Sequence, residues 1–303
     1  MITSVFFSNE NVQIVSGKCS GKKIVVCDYL TAPLPDNCII NGVITSDFAL
    51  KKLLTSLWGK RSVKTSAASI VIDSSSILTK TLNLPSVKSS TMQKIIKGEF
   101  AEVENYESLL YDYFVLSPKN EGGGATVLSC AADRVFLQAY IEMFEAMKIK
   151  IESIDIAINC EIKLMNRISL MHDKTAIIAV LDKNTLVLSL FVNGMYRFIS
   201  RSRLFEDRGT QGALDEISRA ISSLIQFNSS EKSGYTISDI FFCGTNPDER
   251  FLCDELSAMF APINAKLFPE CPEVVFKLKK HSLVNKSPVV SDCLYSLGNL
   301  IRL

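Results

Sequence analysis

The side chains with the widest chemical repertoire in this sequence are nine cysteines and two histidines, which could form disulfides, bind a metal or act as nucleophiles. The cysteines are scattered without any C-x-x-C pair, and neither His172 nor His281 stands in a ligand-spaced cluster with them. Because a structural zinc site needs several closely spaced thiolate or imidazole ligands, the sequence predicts no metal site. An odd number of cysteines at irregular spacing favours reduced thiols that are buried as small apolar side chains. The pattern assigns no catalytic residue.

The composition is that of a globular protein with nearly balanced charge. Of 303 residues, 47% are hydrophobic and 21% are charged, which excludes disordered and low-complexity classes. Lys and Arg total 33 against 32 Asp and Glu, so the net charge of +1 gives no reason to expect nucleic acid as a partner. No apolar run reaches the roughly 18 residues of a spanning helix, and MITSVFFSNE lacks the basic start of a signal peptide. We therefore expect a cytoplasmic protein.

The elements that would position any site are arranged as an internal repeat. The first copy has three strand-like runs joined by short turns, then an amphipathic helix and a short apolar strand. These segments are residues 3–8, 12–18, 23–30, 47–58 and 68–73. The second copy repeats the order at residues 175–181, 185–192, 195–202, 213–227 and 237–243. Equivalent positions lie about 170 residues apart, and this ordered match predicts a duplicated α/β core.

A segment between the two copies has a different order of elements. Strand, helix, two strands, helix and strand follow one another, which is the βαββαβ order of a ferredoxin-like unit. The predicted elements are residues 77–84, 89–104, 109–116, 125–131, 133–147 and 148–156, with a Gly-rich turn at 121–124. The sequence therefore predicts a first core subdomain at 1–76, an inserted subdomain at 77–156 and a second core domain at 157–303.

The order of these elements resembles the actin-like (ribonuclease H-like) fold, a duplicated α/β core with an inserted βαββαβ subdomain. The closer likeness is to the PilM family of type IV pilus assembly proteins, which is related to FtsA. The phrases that carry it are ILTKTLNLP at 77–85, the helix and strand at 131–155, LSLFVNGMYRFISRS at 188–202, and residues 240–260. The resemblance covers nearly the whole chain, and the order of the phrases is more specific than any one of them.

The resemblance implies a nucleotide site between the two halves of the core, built from two hairpin turns and an adenosine loop. Such a site uses glycine-rich turns to bind phosphates and carboxylates to hold magnesium. The positions that correspond to it are Ser8, Asn9, Glu10, Asn11, Asp182, Gly244, Thr245 and Asn246.

These positions depart from the family pattern in all three turns. The first motif of the family resembles DIGSSSIK, but Phe6 stands at its acidic position, Ser8 at its glycine and Gln13 at its lysine. The second turn places Val180 and Asp182 where an acid and a glycine are expected, and the adenosine loop keeps one glycine, Gly244. We therefore expect no cofactor and no ATP hydrolysis. Binding of ATP with magnesium is the alternative, since a register shift of two residues would let Glu10 or Asp182 supply the missing carboxylate.

A partner site is also implied by the resemblance. PilM-like proteins bind the short cytoplasmic tail of an inner-membrane pilus protein of the PilN type against the inserted subdomain, and such tails use apolar grooves or strand addition. The candidate contact residues are Leu84, Phe100, Tyr111 and Tyr113. Packing within the sheet is the alternative role for this aromatic cluster.

Two further features argue against an active enzyme and against an FtsA-like membrane anchor, respectively. Residues 206–212 join strand and helix directly where family members carry an extra lobe, so we expect a reduced 2B lobe. The terminal apolar segment CLYSLGNLIRL has little basic character, which favours packing on the core over membrane anchoring.

The run of Arg197, Arg201, Arg203 and Arg208 is either a solvated face or a contact for an acidic protein.

The sequence as a whole predicts a cytoplasmic scaffold of type IV pilus assembly or a related secretion system. It would lie at the inner face of the membrane through its partner, the tail of a PilN-like protein, and it could form oligomers. The alternatives are an active actin-like ATPase and an FtsA-like division or filament protein.

Overall fold

The fold is given by a computed structural model that describes residues 1–60, 66–85, 88–119, 123–231, 234–278 and 288–302. His281, residue 287 and part of the predicted 121–124 turn lie outside the described residues. The chain forms two compact units, which we call the core unit and the inserted unit. The core unit comprises Met1–Leu34, Ala67–Ile72 and Glu152–Leu303, and the inserted unit comprises Pro35–Ser66 and Asp73–Ile151. The sequence-based domain boundaries remain predictions.

The first sheet of the core unit has six strands in the order β10-β6-β1-β2-β3-β16. These strands are β1 (Ile2–Phe7), β2 (Asn11–Ser20), β3 (Lys23–Pro33), β6 (Ala67–Ile72), β10 (Lys150–Ile156) and β16 (Val274–Phe276). β1 is antiparallel to β2, β2 is antiparallel to β3, and β1 is parallel to β6. Five of the six residues of β6 are buried, as expected for an apolar strand covered on both faces.

The second sheet repeats this arrangement with five strands in the order β13-β12-β11-β14-β15. Its strands are β11 (Ala176–Asp182), β12 (Thr185–Val192), β13 (Met195–Arg203), β14 (Asp239–Cys243) and β15 (Asn264–Leu267). β11 is antiparallel to β12 and parallel to β14, as β1 is to β2 and β6. The predicted duplication of the core is confirmed.

Helices connect and cover the strands of both sheets. In the core unit they are α4 (Ala157–Met165), α5 (Gln211–Ser230), α6 (Phe251–Met259) and α7 (Leu294–Asn299). α5 is capped at its N-terminus by Thr210, whose side chain accepts a hydrogen bond from the Ala213 N–H at 3.3 Å. Its apolar face (Leu214, Ile217, Ile221 and Leu224) is buried in one cluster with alternate residues of β12. α4 and α7 pack against each other at Gly298, where an added Cβ would lie 1.8 Å from the Cys160 carbonyl oxygen.

The inserted unit contains a three-stranded antiparallel sheet in the order β7-β9-β8. Its elements are β4 (Ile39–Ile40), β5 (Val43–Ile44), α1 (Asp47–Lys60), β7 (Leu78–Leu84), α2 (Ser89–Glu99), β8 (Leu109–Ser117), β9 (Ala125–Asp133) and α3 (Arg134–Glu145). α2 packs on this sheet through Ile96 and Phe100, which are buried with Leu84 and Val127. Asp133 caps α3 by accepting from the Phe136 N–H at 3.0 Å.

The last strand of the predicted βαββαβ unit belongs to the other sheet. β10 lies beside β6 in the first core sheet, in the position that β15 occupies beside β14 in the second. The inserted unit therefore keeps the predicted order of elements, but its sheet has three strands. Each half of the core needs a fifth strand to complete the duplicated sheet, and β10 supplies it.

A buried carboxylate at the start of β14 gives the first testable prediction. Asp239 lies between Lys174 at 2.7 Å and Lys266 at 2.6 Å. Burial opposes its ionisation, but hydrogen bonds from both lysines and Ser238 outweigh burial and lower the pKa of Asp239 to about 2. A depressed pKa stabilises the fold above the ordinary carboxyl range, so this stability is lost as the pH falls from about 4 to 2.

We expect Asp239→Asn to lower the free energy of unfolding by about 2 kcal/mol at pH 7 and by much less near pH 2. Urea unfolding followed by circular dichroism at several pH values measures this difference. Asp36→Asn, at an exposed aspartate, is the control and should have little effect at any pH. A constant difference between wild type and Asp239→Asn across the pH range would contradict the assigned cause.

Candidate functional site

A cavity of about 330 Å³ lies in the core unit where turns from both halves meet. It is formed by the β1–β2 turn, the β11–β12 turn, the turn after β14 and residues 291–295. Seven of the eight predicted nucleotide-site residues line it, namely Ser8, Glu10, Asn11, Asp182, Gly244, Thr245 and Asn246. The eighth, Asn9, hydrogen-bonds to Asp182. The structure thus brings together residues that are far apart in the sequence.

In the β1–β2 turn, a side chain of the turn accepts hydrogen bonds from the turn's own backbone N–H groups. The Ser8 hydroxyl oxygen accepts from the Glu10 N–H at 3.1 Å and from the Asn11 N–H at 2.9 Å. The Ser8 N–H in turn donates to the Asn11 carbonyl oxygen at 2.9 Å. A phosphate would need these N–H groups directed at its oxygens, but in this turn they are directed at protein oxygens.

Asp182 links the β1–β2 turn to the β11–β12 turn. Its Oδ2 accepts from the Asn9 backbone N–H and from the Asn9 side-chain amide, each at 2.8 Å. Two donors on one oxygen satisfy much of the hydrogen-bonding capacity of this carboxylate. The first two turns of the site are therefore held together by the protein itself.

The third turn is held by Arg208, the last arginine of the basic run between positions 197 and 208. Arg208 donates to the Gly244 carbonyl oxygen at 2.8 Å and forms a two-pronged ion pair with Glu249, with Nε to Oε1 at 2.7 Å. Glu249 is 1% exposed and also accepts from the Asn246 N–H at 2.6 Å. Gly244 has a φ of 69°, and a Cβ there would lie 2.1 Å from the Leu181 carbonyl oxygen. The turn is thus fixed tightly against the end of β11.

The lining of the cavity also includes the aromatic side chains of Phe6 and Tyr295 and the amide side chain of Gln13. Phe6, at the acidic position of the family motif, contacts Tyr295 edge to face with ring centroids 5.2 Å apart. Gln13, at the lysine position, donates to the Asp292 carbonyl oxygen at 2.6 Å and accepts from the Ser296 hydroxyl at 2.6 Å. Both positions therefore join the first sheet to the C-terminal segment.

The charges and thiols around the cavity limit its chemistry. Its described lining includes the carboxylates of Glu10, Asp182 and Asp292 and contains no lysine, arginine or histidine. Cys243 and Cys293 also line it, and burial raises the pKa of both thiols well above the ordinary value. A raised pKa favours the neutral thiol at pH 7, which is a weak nucleophile. In the described parts of the chain, no group of His, Cys, Asp and Glu is arranged to hold a metal ion.

The four predicted partner residues divide into two pairs in the inserted unit. Leu84 is 3% exposed and Phe100 is fully buried, so both side chains pack in the core of this unit. Tyr111 and Tyr113 are half-buried on β8, at the edge of the sheet. The Tyr111 hydroxyl donates to the Tyr106 carbonyl oxygen, and the Tyr113 hydroxyl lies 3.2 Å from the Ser89 hydroxyl at the start of α2.

Comparison with solved structures shows the actin-like fold. The structure of the PilM-PilN type IV pilus biogenesis complex contains a chain that is 12% identical and superposes with a TM-score of 0.81, over 99% of this chain and 97% of that one. A Bacteroides thetaiotaomicron protein with an actin-like ATPase fold and unknown function is 11% identical, with a TM-score of 0.51 over 88% of this chain and 90% of that one.

Comparison by sequence gives the family. No curated protein matches the chain, and none of the helices among the described residues is long and apolar enough to cross a membrane. The family model described as type IV pilus assembly protein PilM matches residues 5–206, about two thirds of the sequence. The chain therefore belongs to the PilM family and is an actin-like type IV pilus assembly protein.

Proposed function

We propose that this chain is a cytoplasmic scaffold that binds the cytoplasmic tail of a PilN-like inner-membrane protein and does not hydrolyse ATP. Family membership supports the pilus assembly role, and the similar solved structure is described as a complex of PilM with PilN. The scaffold would lie at the inner face of the membrane through this partner. A scaffold needs a stable surface for the tail, but it does not need a turnover cycle.

The observation that carries the non-catalytic part of the proposal is the closed set of hydrogen bonds in the first two turns. The N–H groups of Asn9, Glu10 and Asn11 donate to Asp182 and Ser8. Binding of a triphosphate to these N–H groups would require breaking these bonds, and it would take from the part-buried Asp182 oxygen the Asn9 backbone donor. An acceptor that is left without a donor in a partly buried site costs about 1–3 kcal/mol.

The electrostatics of the cavity favour the same conclusion. A triphosphate would enter a site whose described lining carries three carboxylates and no basic side chain. Arg208, which lies nearby, is already paired with Glu249 and bonded to Gly244. Magnesium would need carboxylate oxygens, but Asp182 is directed at two N–H donors. Hydrolysis by an active ATPase would require all of these groups to rearrange.

For the tail we propose the β8 side of the inserted unit. β8 is an edge strand, and an edge strand can accept an extended peptide by strand addition. Tyr113 lies at this edge beside the start of α2, while Leu110 and Val115 on the same strand are 38% and 41% exposed. Apolar side chains next to an edge that no described strand covers suit a tail that combines backbone pairing with apolar anchors.

The proposal predicts that the tail binds equally well with and without nucleotide. Isothermal titration of the purified chain with a peptide of the PilN-like tail, in the presence and absence of millimolar Mg-ATP, should give one dissociation constant. Tyr113→Ala should weaken binding about tenfold or more because it removes an aromatic contact. Tyr235→Ala, which truncates a 48% exposed tyrosine of the core unit, is the matched control.

Thermal unfolding of the same samples checks the cavity directly. A ligand that binds only the folded state raises its stability by about 2.7 kcal/mol at a hundredfold excess over its dissociation constant. We expect no rise in the melting temperature with Mg-ATP. A rise of several degrees, or tail binding that depends on ATP, would contradict the argument that the cavity does not accept a nucleotide, and equal binding by Tyr113→Ala would contradict the proposed surface.

A further inference from the structure

The outer edge of β8 is partly occupied by a side chain of the same strand. The Tyr113 N–H donates to Oδ1 of Asp112 at 2.8 Å, although Tyr113 lies opposite Ser129 of β9. Hydrogen-bonded and non-hydrogen-bonded pairs alternate along an antiparallel ladder. Tyr113 therefore belongs to a non-hydrogen-bonded pair, and its backbone N–H and C=O groups face away from β9. Asp112 belongs to a bonded pair, and its carbonyl oxygen lies 3.6 Å from Sγ of Cys130 on β9.

The hydrogen bond from Tyr113 to Asp112 protects the middle of this edge. Tyr113 is the central residue of β8, and no described strand pairs with the outer side of β8. Charged side chains on edge strands protect them against unspecific strand pairing. A strand that paired with Tyr113 would have to displace the Asp112 carboxylate, which would lose a charge-assisted hydrogen bond. The edge therefore favours a partner that gives the displaced carboxylate a positively charged neighbour.

The chain around Asp112 is acidic. Residues 99–118 contain five acidic side chains and no lysine, arginine or histidine. The acidic residues are Glu99, Glu102, Glu104, Glu107 and Asp112, and all five are exposed. The loop that carries the glutamates is fixed to β8, because the Tyr111 hydroxyl donates to the Tyr106 carbonyl oxygen. Lys80 and Lys97 contact this loop through the Glu99 carbonyl oxygen and the Tyr106 ring, respectively. Even with both lysines, an occupant of the edge meets more negative than positive charge.

The pleat of β8 determines which residues of a partner strand would lie beside Asp112. Side chains alternate between the two faces of a sheet, and Tyr111 and Tyr113 pack on the α2 side. Asp112 therefore shares the opposite face with Leu110 and Phe114, of which Leu110 is 38% exposed. In a paired strand, the residue opposite Asp112 and the residues two positions before and after it share this face. A basic residue between two apolar residues at this spacing is complementary to β8.

We propose that Asp112 protects the free β8 edge and selects a tail with a basic residue between two apolar residues, each two positions away. This inference rests on the proposed tail surface at β8. On binding, the Tyr113 N–H passes to a carbonyl oxygen of the tail, and the Asp112 carboxylate pairs with the basic side chain. The apolar residues contact Leu110 and Phe114. Cytoplasmic segments next to a membrane-spanning helix are rich in lysine and arginine, so the tail of an inner-membrane protein fits this requirement.

A second copy of the chain does not meet this requirement. β8 contains no lysine, arginine or histidine, so pairing of two β8 strands gives a displaced Asp112 no cation, whatever their register. Such pairing also brings together two segments of the same negative charge, and like charges on neighbouring strands are destabilising. The edge therefore disfavours self-association and favours a basic tail.

Three labelled peptides that differ at one position test the charge selection by Asp112. Each has nine residues, the length of β8, with valine two positions before and after the centre and threonine elsewhere. The central residue is lysine, glutamine or glutamate. Fluorescence anisotropy should show saturable binding of the lysine peptide, weaker binding of the glutamine peptide, and binding of the glutamate peptide about tenfold or more below that of the lysine peptide. This preference should shrink as the salt concentration rises, since exposed charges are screened.

Reversal of one charge on the chain should reverse the order of the peptides. Asp112→Lys should bind the glutamate peptide more tightly than the lysine peptide, and Asp112→Asn should bind both about equally. Asp36→Lys makes the same charge change at an exposed aspartate of the inserted unit and is the matched control, which should keep the wild-type order. Circular dichroism checks that each variant folds. No binding of the lysine peptide by the wild type, or an unchanged order for Asp112→Lys, would overturn the proposal.

Titrations with the PilN-like tail distinguish this inference from the proposed tail surface. Tyr113→Ala tests the surface, and Asp112→Lys tests the charge selection and should weaken tail binding about tenfold or more. Weaker binding by Tyr113→Ala with unchanged binding by Asp112→Lys would overturn the charge selection alone. Unchanged binding by both variants would overturn the tail surface as well.

Discussion

Replacing Gly298 with alanine should lower the free energy of unfolding by about 3 kcal/mol or more. Gly298 lies in α7, and a Cβ at this position would be 1.8 Å from the carbonyl oxygen of Cys160 and 2.4 Å from its carbon. Both atoms belong to the backbone of α4, so no side-chain rotation relieves the overlap. α4 and α7 would have to separate, although both are packed in the core unit.

The opposing effect of helix propensity is too small to change the sign. Alanine is favoured over glycine in a helix interior by about 1 kcal/mol. Gly98 of α2 provides the matched control, because a Cβ there meets no atom within 4 Å. Gly98→Ala should be neutral or slightly stabilising. Urea unfolding followed by far-ultraviolet circular dichroism compares the two variants, and similar stabilities of Gly298→Ala and wild type would show that the α4–α7 contact is not as tight as described.

Much of the fold could be predicted from the sequence because its signals are local. The apolar run that forms β11 and the spacing of Leu214, Ile217 and Ile221 in α5 each arise from burial of one element against its neighbours. Repetition of five such elements in one order then indicated the duplication. β10 was predicted as a strand, but its sheet was not, since the choice of partner strand depends on distant residues. Short strands such as β15 and β16 carry too few residues for a periodic pattern.

The candidate site could be predicted in position but not in its internal bonding. The resemblance to the family motifs placed Ser8 and Asp182 in the first two turns of the implied site, and both line the cavity. The bond from Asn9 to Asp182 spans 173 residues, and no local pattern encodes such a contact. Leu84 and Phe100 illustrate a different limit, because an apolar residue near a proposed groove has the same sequence signature whether it faces the partner or the core.

The pair formed by Arg208 and Glu249 was also beyond sequence reasoning, although it has one of the largest expected effects. The two residues are 41 positions apart, and Arg208 stands in a run of arginines that would suit a solvated face. Instead, its guanidinium bonds to a carboxylate that is 1% exposed. Arg208→Ala should destabilise the chain by about 3–5 kcal/mol, because it leaves that carboxylate buried without its counter-charge.

Two control variants show whether burial sets the size of this effect. Glu152→Gln breaks the ion pair with Arg302, whose side chains are 47% and 45% exposed, and should cost less than about 1 kcal/mol. The double variant Arg208→Met/Glu249→Gln removes both charges and should be more stable than Arg208→Ala, since no unpaired charge remains buried. Urea unfolding of the four proteins tests this order. If Arg208→Ala were no more destabilising than Glu152→Gln, the third turn of the cavity would not depend on the buried pair, and pairing with Glu249 would not withhold Arg208 from a phosphate.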